Sequence, residues 1–304
     1  MTKNPFNKLI VILGPTASGK ADLAVKLAKR FNAEIVCADS RQIYSEMPIG
    51  TASPIGRGLP PATIPHHLFG ITPPKKVFSA GQFQKLAIKT IKDIQKRGKV
   101  PFLVGGSAFY IYPVIEGWRF PKLSANQKLR QELERKTTKQ LFAMLKTLSP
   151  IRAKNIDRNN KRRLIRAIEI AKEVGEVPKI IKKPIFDCLI LGINPNKGKL
   201  KKRIEARTTK MLKMGLEKEV KNLVKKYGWT DVLKNTIGYA EWSSFAPTEL
   251  RRDKTKIEKL LVLHTLQLAK RQMTWFKKDK RIHWIKNQQQ AANLTKKFTE
   301  RIPL

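Results

Sequence analysis

The sequence is short of cysteine, of acidic residues and of long apolar runs, and each shortage removes a class of function. Two cysteines occur in 304 residues, Cys37 within EIVCADS and Cys188 within FDCLILGI. Both sit in apolar runs with no partner at metal-ligand spacing, so buried free thiols are expected, and neither a zinc site nor a disulfide framework. No run approaches the roughly 20 apolar residues of a membrane span. The apolar part of MTKNPFNKLIVILG is too short for a signal peptide. A soluble, cytoplasmic protein with no membrane partner is expected. Internal repeats and low-complexity linkers are missing too, which points to globular structure throughout. Acidic residues number 23 against 63 lysines and arginines, a formal net charge of +40. Polyanion binding by counterion release accounts for such an excess. So does a general bias to lysine, since Lys outnumbers Arg 44 to 19. Every third of the chain carries the excess, so composition locates no binding face.

What the chain does have is an alternation of strand and helix signals. KLIVILG (8–14), EIVCADS (34–40) and VPFLVGG (100–106) are continuous apolar runs, as strands covered on both faces should be. The segment from Lys20 to Arg30 has mostly helical apolar spacing. SAGQFQKLAIKTIKDIQKRG (79–98) is a helix with Ser79 as its cap and Gly98 at its close. From about Trp118 to Pro184 the pattern becomes charged, amphipathic and helical, with no strand candidate. FDCLILGI (186–193) resumes the sheet. One long basic helix (RIEARTTKMLKMGLEKEVKNLVKK), a second (IEKLLVLHTLQLAKRQMTWFKK) and a last strand, IHWIK (282–286), follow. The expected fold is α/β: a P-loop NTPase-like parallel sheet flanked by helices, formed by residues 1–117 and 185–304, with an all-helical insertion at 118–184.

The first βα turn is Gly14, Pro15, Thr16, Ala17, Ser18, Gly19, Lys20 and Ala21, the phosphate-cradling pattern G-x-x-x-x-G-K-[ST] in all but its last letter. Backbone N–H groups of 16–20 would converge on a phosphate at the positive end of a helix, with Lys20 adding a full charge. The Ser or Thr that normally ends the pattern binds Mg²⁺; Ala21 has no ligand to offer. A kinase or ATPase would lose the anchor for the metal bridging its terminal phosphates. Asp39 ends the next strand, so its carboxylate is expected at the carboxyl edge of the sheet beside the loop, suited to taking a proton from a nucleophile. Helix capping is the competing reading of an Asp-Ser pair.

GPTASGK, ADSRQIYSEMPIGTA, IPHHLFGI, FSAGQF, VGGSAFY, RRLIRAIE, MGLEKEV and AKRQMTWF occur in the order found in tRNA dimethylallyltransferases. The resemblance runs from about Leu9 to Trp284. It implies transfer of a dimethylallyl group from dimethylallyl diphosphate to the exocyclic N6 amine of the adenosine 3′ of the anticodon (adenosine-37) in tRNA, with release of diphosphate. It also implies a P-loop core with a helical tRNA-binding insert, which agrees with the organisation above. Diphosphate is then a leaving group and no phosphoryl group moves, so N–H groups and Lys20 can hold it without a hydroxyl at 21, in an enzyme expected to be impaired or Mg²⁺-hungry but not dead. Mg²⁺ is expected to be bound mainly through the diphosphate, and a monomer is expected to engage the anticodon stem-loop.

The resemblance assigns roles residue by residue. Asp39 would hydrogen-bond the adenine amine and act as general base, and Thr16 would donate to the bridging oxygen of the leaving diphosphate. Arg203 and Arg207, i and i+4 on one helix, are further diphosphate or tRNA contacts, with a solvated face as the alternative. Ser40, Arg41 and Gln42 match the segment that reads the target adenosine, which must leave its stack. Ser107 stands where the family has Thr. Arg130, Arg163 and Arg166 are expected to grip phosphates from the insert. Lys270, Arg271, Gln272 and Trp275 combine donors with a ring that stacks on a base or packs in the core. His66 and His67 are read as packing or hydrogen-bonding residues. Gly70, Ala240 and Leu266 depart from the family pattern, as Ala21 does. Two alternatives stay open: a P-loop nucleotide kinase or ATPase, which Ala21 disfavours, and a catalytically lapsed tRNA-binding protein, which the departures motivate.

Overall fold

The structure, a computed structural model, describes residues 7–53, 64–121, 123, 126–243 and 254–300. The chain forms two compact units, Met1–Gly117 with Pro184–Leu304, and Trp118–Lys183.

The larger unit begins with β1 (Lys8–Leu13), α1 (Lys20–Arg30), β2 (Ala33–Ala38), β3 (His66–His67), α2 (Ala80–Lys96), β4 (Val100–Gly105) and α3 (Ala108–Glu116). Leu9 to Leu13 are all fully buried, which only a central strand covered on both faces requires. At about 1.5–3 kcal/mol for each buried large aliphatic side chain, these five residues are a major part of the core. Ser79 caps α2 through a reciprocal pair: Gln82 N donates to Ser79 Oγ (3.2 Å) and Ser79 N to Gln82 Oε1 (2.9 Å).

The smaller unit starts and ends on a two-residue antiparallel ribbon, β5 (Trp118–Arg119) with β6 (Ile181–Lys182). Between them lie α4 (Gln127–Glu134), α5 (Thr138–Leu148), α6 (Pro150–Lys154) and α7 (Lys161–Val174). The ribbon departs from the all-helical expectation; two residues per strand are too few to leave a period in the sequence. Leu133, Leu141, Leu145, Leu164 and Ile168 form this unit's own core.

The larger unit resumes with β7 (Asp187–Ile193), α8 (Lys197–Lys213), α9 (Leu216–Tyr227), α10 (Asp231–Lys234), α11 (Lys254–Phe276), β8 (His283–Ile285) and α12 (Gln288–Thr299). The expected single helix over 203–226 is two, because Gly215 adopts φ 96°, a left-handed conformation that ends the helical path. Helix α12 was not expected from the sequence. The strands pair in parallel in the order β3-β2-β4-β1-β7-β8. Strand β1 is central, with Ile10 opposite both Phe102 and Leu189. This order places the carboxyl ends of β1, β2 and β4 side by side, and the loops that follow them build the site. Among the described residues no helix is long and apolar enough to cross a membrane.

Candidate active site

The loop between β1 and α1 turns through left-handed conformations at Ala17 (φ 59°) and Gly19 (φ 91°). Such turns gather successive N–H groups on one side, a nest for an anion, at the positive end of α1. The loop is held tightly. A Cβ at Gly14 would lie 3.0 Å from both Ile193 O and Ser18 Oγ, so β7 packs tightly on it and a side chain would need its neighbours to shift by a few tenths of an ångström. Lys20 Nζ donates to Pro15 O (3.2 Å), and Arg203 Nη1 donates to Ser18 O (3.1 Å). From α11, Gln272 Oε1 accepts from Thr16 N (2.8 Å), while its Nε2 donates to Gly106 O (3.0 Å). Leu200 and Ile204 of α8 and Ala269 of α11 cluster with Ala17.

Asp39 stands just beyond β2. Its Oδ1 accepts from Arg41 N (2.9 Å) and Gln42 N (3.4 Å), capping a turn and not a helix, and Asp39 lines a cavity together with the loop. Ser107 Oγ accepts from Ser40 N (2.9 Å) and ties the ends of β2 and β4 together. Gly105 makes this approach feasible, since a Cβ there would lie 2.1 Å from Ala38 O. Gln42 turns inward. Its Nε2 donates to Thr51 O (3.0 Å) and Ala52 O (3.1 Å), and its Oε1 accepts from Cys37 Sγ (3.5 Å). Burial, then the neighbouring Asp39 carboxylate, pushes the Cys37 thiol well up, so it stays neutral in the site wall.

The loop around Gly50 is fixed from α9, a contact that sequence reasoning missed. Glu219 accepts from Ile49 N (2.9 Å), Gly50 N (2.9 Å) and Tyr239 Oη (2.6 Å). Tyr239 is fully buried, and a Cβ on Gly50 would stand 2.5 Å from its ring. MGLEKEV marks the stretch in the sequence, but no periodicity shows that its glutamate holds a loop 170 residues earlier.

Two cavities open off this arrangement. One, of about 770 Å³, is lined by Thr16–Ala21, Arg203 and Arg207 on one side and by Ile35, Ile64, Phe69 and Val104 on another. It joins a cationic, N–H-rich end to an apolar end. The other, of about 220 Å³, is lined by Ser40, Arg41, Ser107, Asn235, Arg271 and Gln272 and is mostly polar. Thr16, Asp39, Thr51 and Arg207 line both. A ligand in either cavity would therefore face the same four residues.

The structure leaves other expected residues elsewhere. Lys270 and Trp275 are exposed on α11 and line neither cavity. Trp275 (40% exposed) meets Phe109 (47% exposed) edge to face at 5.3 Å between ring centres. It is therefore not a core residue. In the smaller unit Arg130 and Arg166 are half-exposed and share one carboxylate partner. Arg130 clasps Glu169 in two bonds (2.7 and 2.9 Å), and Arg166 reaches the same carboxylate at 3.3 Å. Glu169 is buried, and a buried carboxylate needs such partners to stay ionised. Burial raises its pKa, but Arg130 and Arg166 outweigh this and hold it below the ordinary range. Arg163 is exposed on α7. His67 Nε2 pairs with Glu34 (2.7 Å) and His66 Nδ1 with Ile64 O (2.6 Å), in hydrogen-bonding roles. Burial pushes the Cys188 thiol up to about 12.

Comparison with known proteins gives concordant results. The signature of the IPP transferase family matches residues 42–279. A tRNA dimethylallyltransferase of Synechococcus sp. is 36% identical over 283 residues, 91% of this chain and 90% of that protein. The crystal structure of a full-length tRNA isopentenylpyrophosphate transferase from Bacillus halodurans is similar with a TM-score of 0.72, at 32% identity and 97% coverage of both chains. A eukaryotic dimethylallyltransferase acting on tRNA has a TM-score of 0.79 at 26% identity, covering 98% of this chain and 81% of that one.

Proposed function

Because the chain belongs to the IPP transferase family of tRNA dimethylallyltransferases, we propose that it transfers a dimethylallyl group to the N6 amine of adenosine-37, beside the tRNA anticodon. The observation that carries this reading is the shared wall of the two cavities at Thr16, Asp39, Thr51 and Arg207. Dimethylallyl diphosphate fits the larger cavity, with diphosphate against Lys20, Arg203, Arg207 and the loop N–H groups, and its five carbons along Ile64, Phe69 and Val104. A flipped adenine suits the smaller, polar cavity between Ser40, Arg41 and Arg271. The donor carbon and the acceptor amine then meet at the shared wall. The amine nitrogen forms a bond to the first carbon of the prenyl group as the carbon–oxygen bond to diphosphate breaks. Asp39 takes the amine proton, and Thr16 donates to the oxygen that gains charge.

Magnesium would ride on the diphosphate, because Ala21 offers no oxygen and the shared wall holds a single carboxylate, Asp39; when bound it would neutralise charge on the leaving group. Every other role above belongs to the chain's own groups. The RNA backbone is proposed to run over the basic surfaces, with Trp275 and Phe109 as stacking rings. The smaller unit contributes Arg163 among 19 lysines and arginines against 6 acidic residues. The protein is proposed to act as a cytoplasmic monomer on the anticodon stem-loop.

Unmodified tRNA incubated with the protein, dimethylallyl diphosphate and Mg²⁺, then digested and read by nucleoside mass spectrometry, tests the reading. A prenylated adenosine at position 37 is expected. Tight binding of tRNA without any product would instead mark a lapsed RNA-binding relative.

A further inference from the structure

The family resemblance placed Gln272 among tRNA contacts, yet both hydrogen bonds that its carboxamide makes are within the protein. Oε1 accepts from Thr16 N at 2.8 Å, and Nε2 donates to Gly106 O at 3.0 Å. One side chain thus bridges the phosphate loop to the end of β4. Facing an N–H on one side and a C=O on the other, a carboxamide satisfies both, whereas an ionised carboxylate has no donor and Lys or Arg has no acceptor. Gly106 is shaped for this contact, since a Cβ there would lie 2.5 Å from Nε2. The adjoining Ala17 has φ 59°, a conformation that a non-glycine residue keeps only where its surroundings over-determine it.

We propose that Gln272 is a positioning residue of the donor site: it pins the Thr16 amide, sets the curvature of the phosphate loop, and aims Thr16 at the wall shared by the two cavities. Both of its hydrogen bonds are made within the protein, although its side chain also borders the smaller cavity. The proposal deepens the transferase reading and rests on it for the identity of the anion. One consequence is that α11, which carries Lys270, Arg271 and Trp275 on its exposed surface, is fastened at the same turn to the loop that holds the leaving group.

The test measures two affinities separately, without turnover: inorganic pyrophosphate by calorimetry, and a synthetic anticodon stem-loop RNA by fluorescence anisotropy. Gln272→Met keeps the shape and removes both hydrogen bonds. Pyrophosphate binding should weaken about tenfold, with RNA affinity within about twofold. In steady state kcat and the donor KM should change while the tRNA KM does not. Gly106→Ala leaves the glutamine intact but displaces its amide, and should reproduce the selective loss. RNA affinity falling with pyrophosphate binding intact would make Gln272 an RNA contact and overturn the proposal. So would no change in either affinity, or an equal loss of both in both variants. If the unmodified protein fails to prenylate tRNA yet shows the selective pattern, the reaction assignment falls and the positioning role stands.

Discussion

Removing the Glu219 carboxylate should disable the acceptor side of the site from a distance. It receives three hydrogen bonds, from Ile49 N and Gly50 N at 2.9 Å each and from Tyr239 Oη at 2.6 Å. Hydrogen bonds to a charged group contribute about 1.5–3 kcal/mol each, though the three share one carboxylate and do not add fully. Glu219→Ala also leaves the Tyr239 hydroxyl, in a fully buried residue, without this partner. A loss of about 2–4 kcal/mol in local stability is therefore expected. Glu219→Gln keeps one good acceptor but turns an NH₂ toward a donor, so about half that loss is expected. The loop so released carries Gly50 and Thr51 into the smaller cavity, and its carbonyls at Thr51 and Ala52 hold Gln42. A misplacement of about 1 Å in such a wall lowers kcat/KM for tRNA by roughly 10–100-fold. Pyrophosphate affinity should stay within about threefold, since the phosphate loop has its own supports in Gln272 and Arg203. The assay is steady-state kinetics against tRNA beside pyrophosphate calorimetry and a melting curve. Full kcat/KM for tRNA in Glu219→Ala would refute the clamp, as would equal losses toward both ligands.

Other expectations can be checked in the same assays. Asp39→Asn keeps the Oδ1 that caps the turn but removes the base, so kcat should fall about 10²–10⁴-fold with stem-loop RNA affinity retained; unaltered turnover would remove Asp39 from catalysis. Ala21→Thr restores the missing oxygen and should tighten dimethylallyl diphosphate binding by roughly tenfold and lower the Mg²⁺ requirement. An unchanged donor affinity would show that the hydroxyl has no role here. Glu169 titrates below the ordinary glutamate value, so its contribution is complete above about pH 4.3 and is lost as pH falls through its depressed folded-state value. Protection against hydrogen exchange in α4 and α7, taken relative to the intrinsic rate, should therefore fall below about pH 4, and Glu169→Gln should flatten that acid dependence. An identical acid profile in the variant would remove Glu169 as the cause.

The parts of this structure legible in the sequence are those written locally. Apolar runs of six or seven residues gave β1, β2, β4 and β7, because strands buried on both faces need unbroken hydrophobicity. The phosphate loop is contiguous, so pattern alone placed it between β1 and α1. The helix break at Gly215 was missed because apolar spacing continues across it; a glycine's left-handed turn leaves no mark on periodicity. The ribbon at the base of the insert is too short to have a period, and α12 carries few large apolar residues to register one. The roles of Gln272 and Glu219 in the site, and of Arg130 and Arg166 in the smaller unit, follow from which partner lies opposite, for the first two mostly more than 150 residues away. A basic residue in a chain of +40 charge gives no hint whether it faces phosphate or a buried carboxylate.

Strand β1 is hydrogen-bonded on both edges, by β4 and by β7. During synthesis at about 5–20 residues per second, β1 emerges roughly 10–40 s before β7 can join it. Through that interval the most apolar strand of the protein has one side unpaired, and Gly14 awaits the strand end that packs on it. Arg203, Glu219 and Gln272 come later still. A chain halted between the loop and Arg203 would contain the whole phosphate-loop motif with its own Lys20 bond, but not the Arg203 and Gln272 side chains that fasten the loop from α8 and α11.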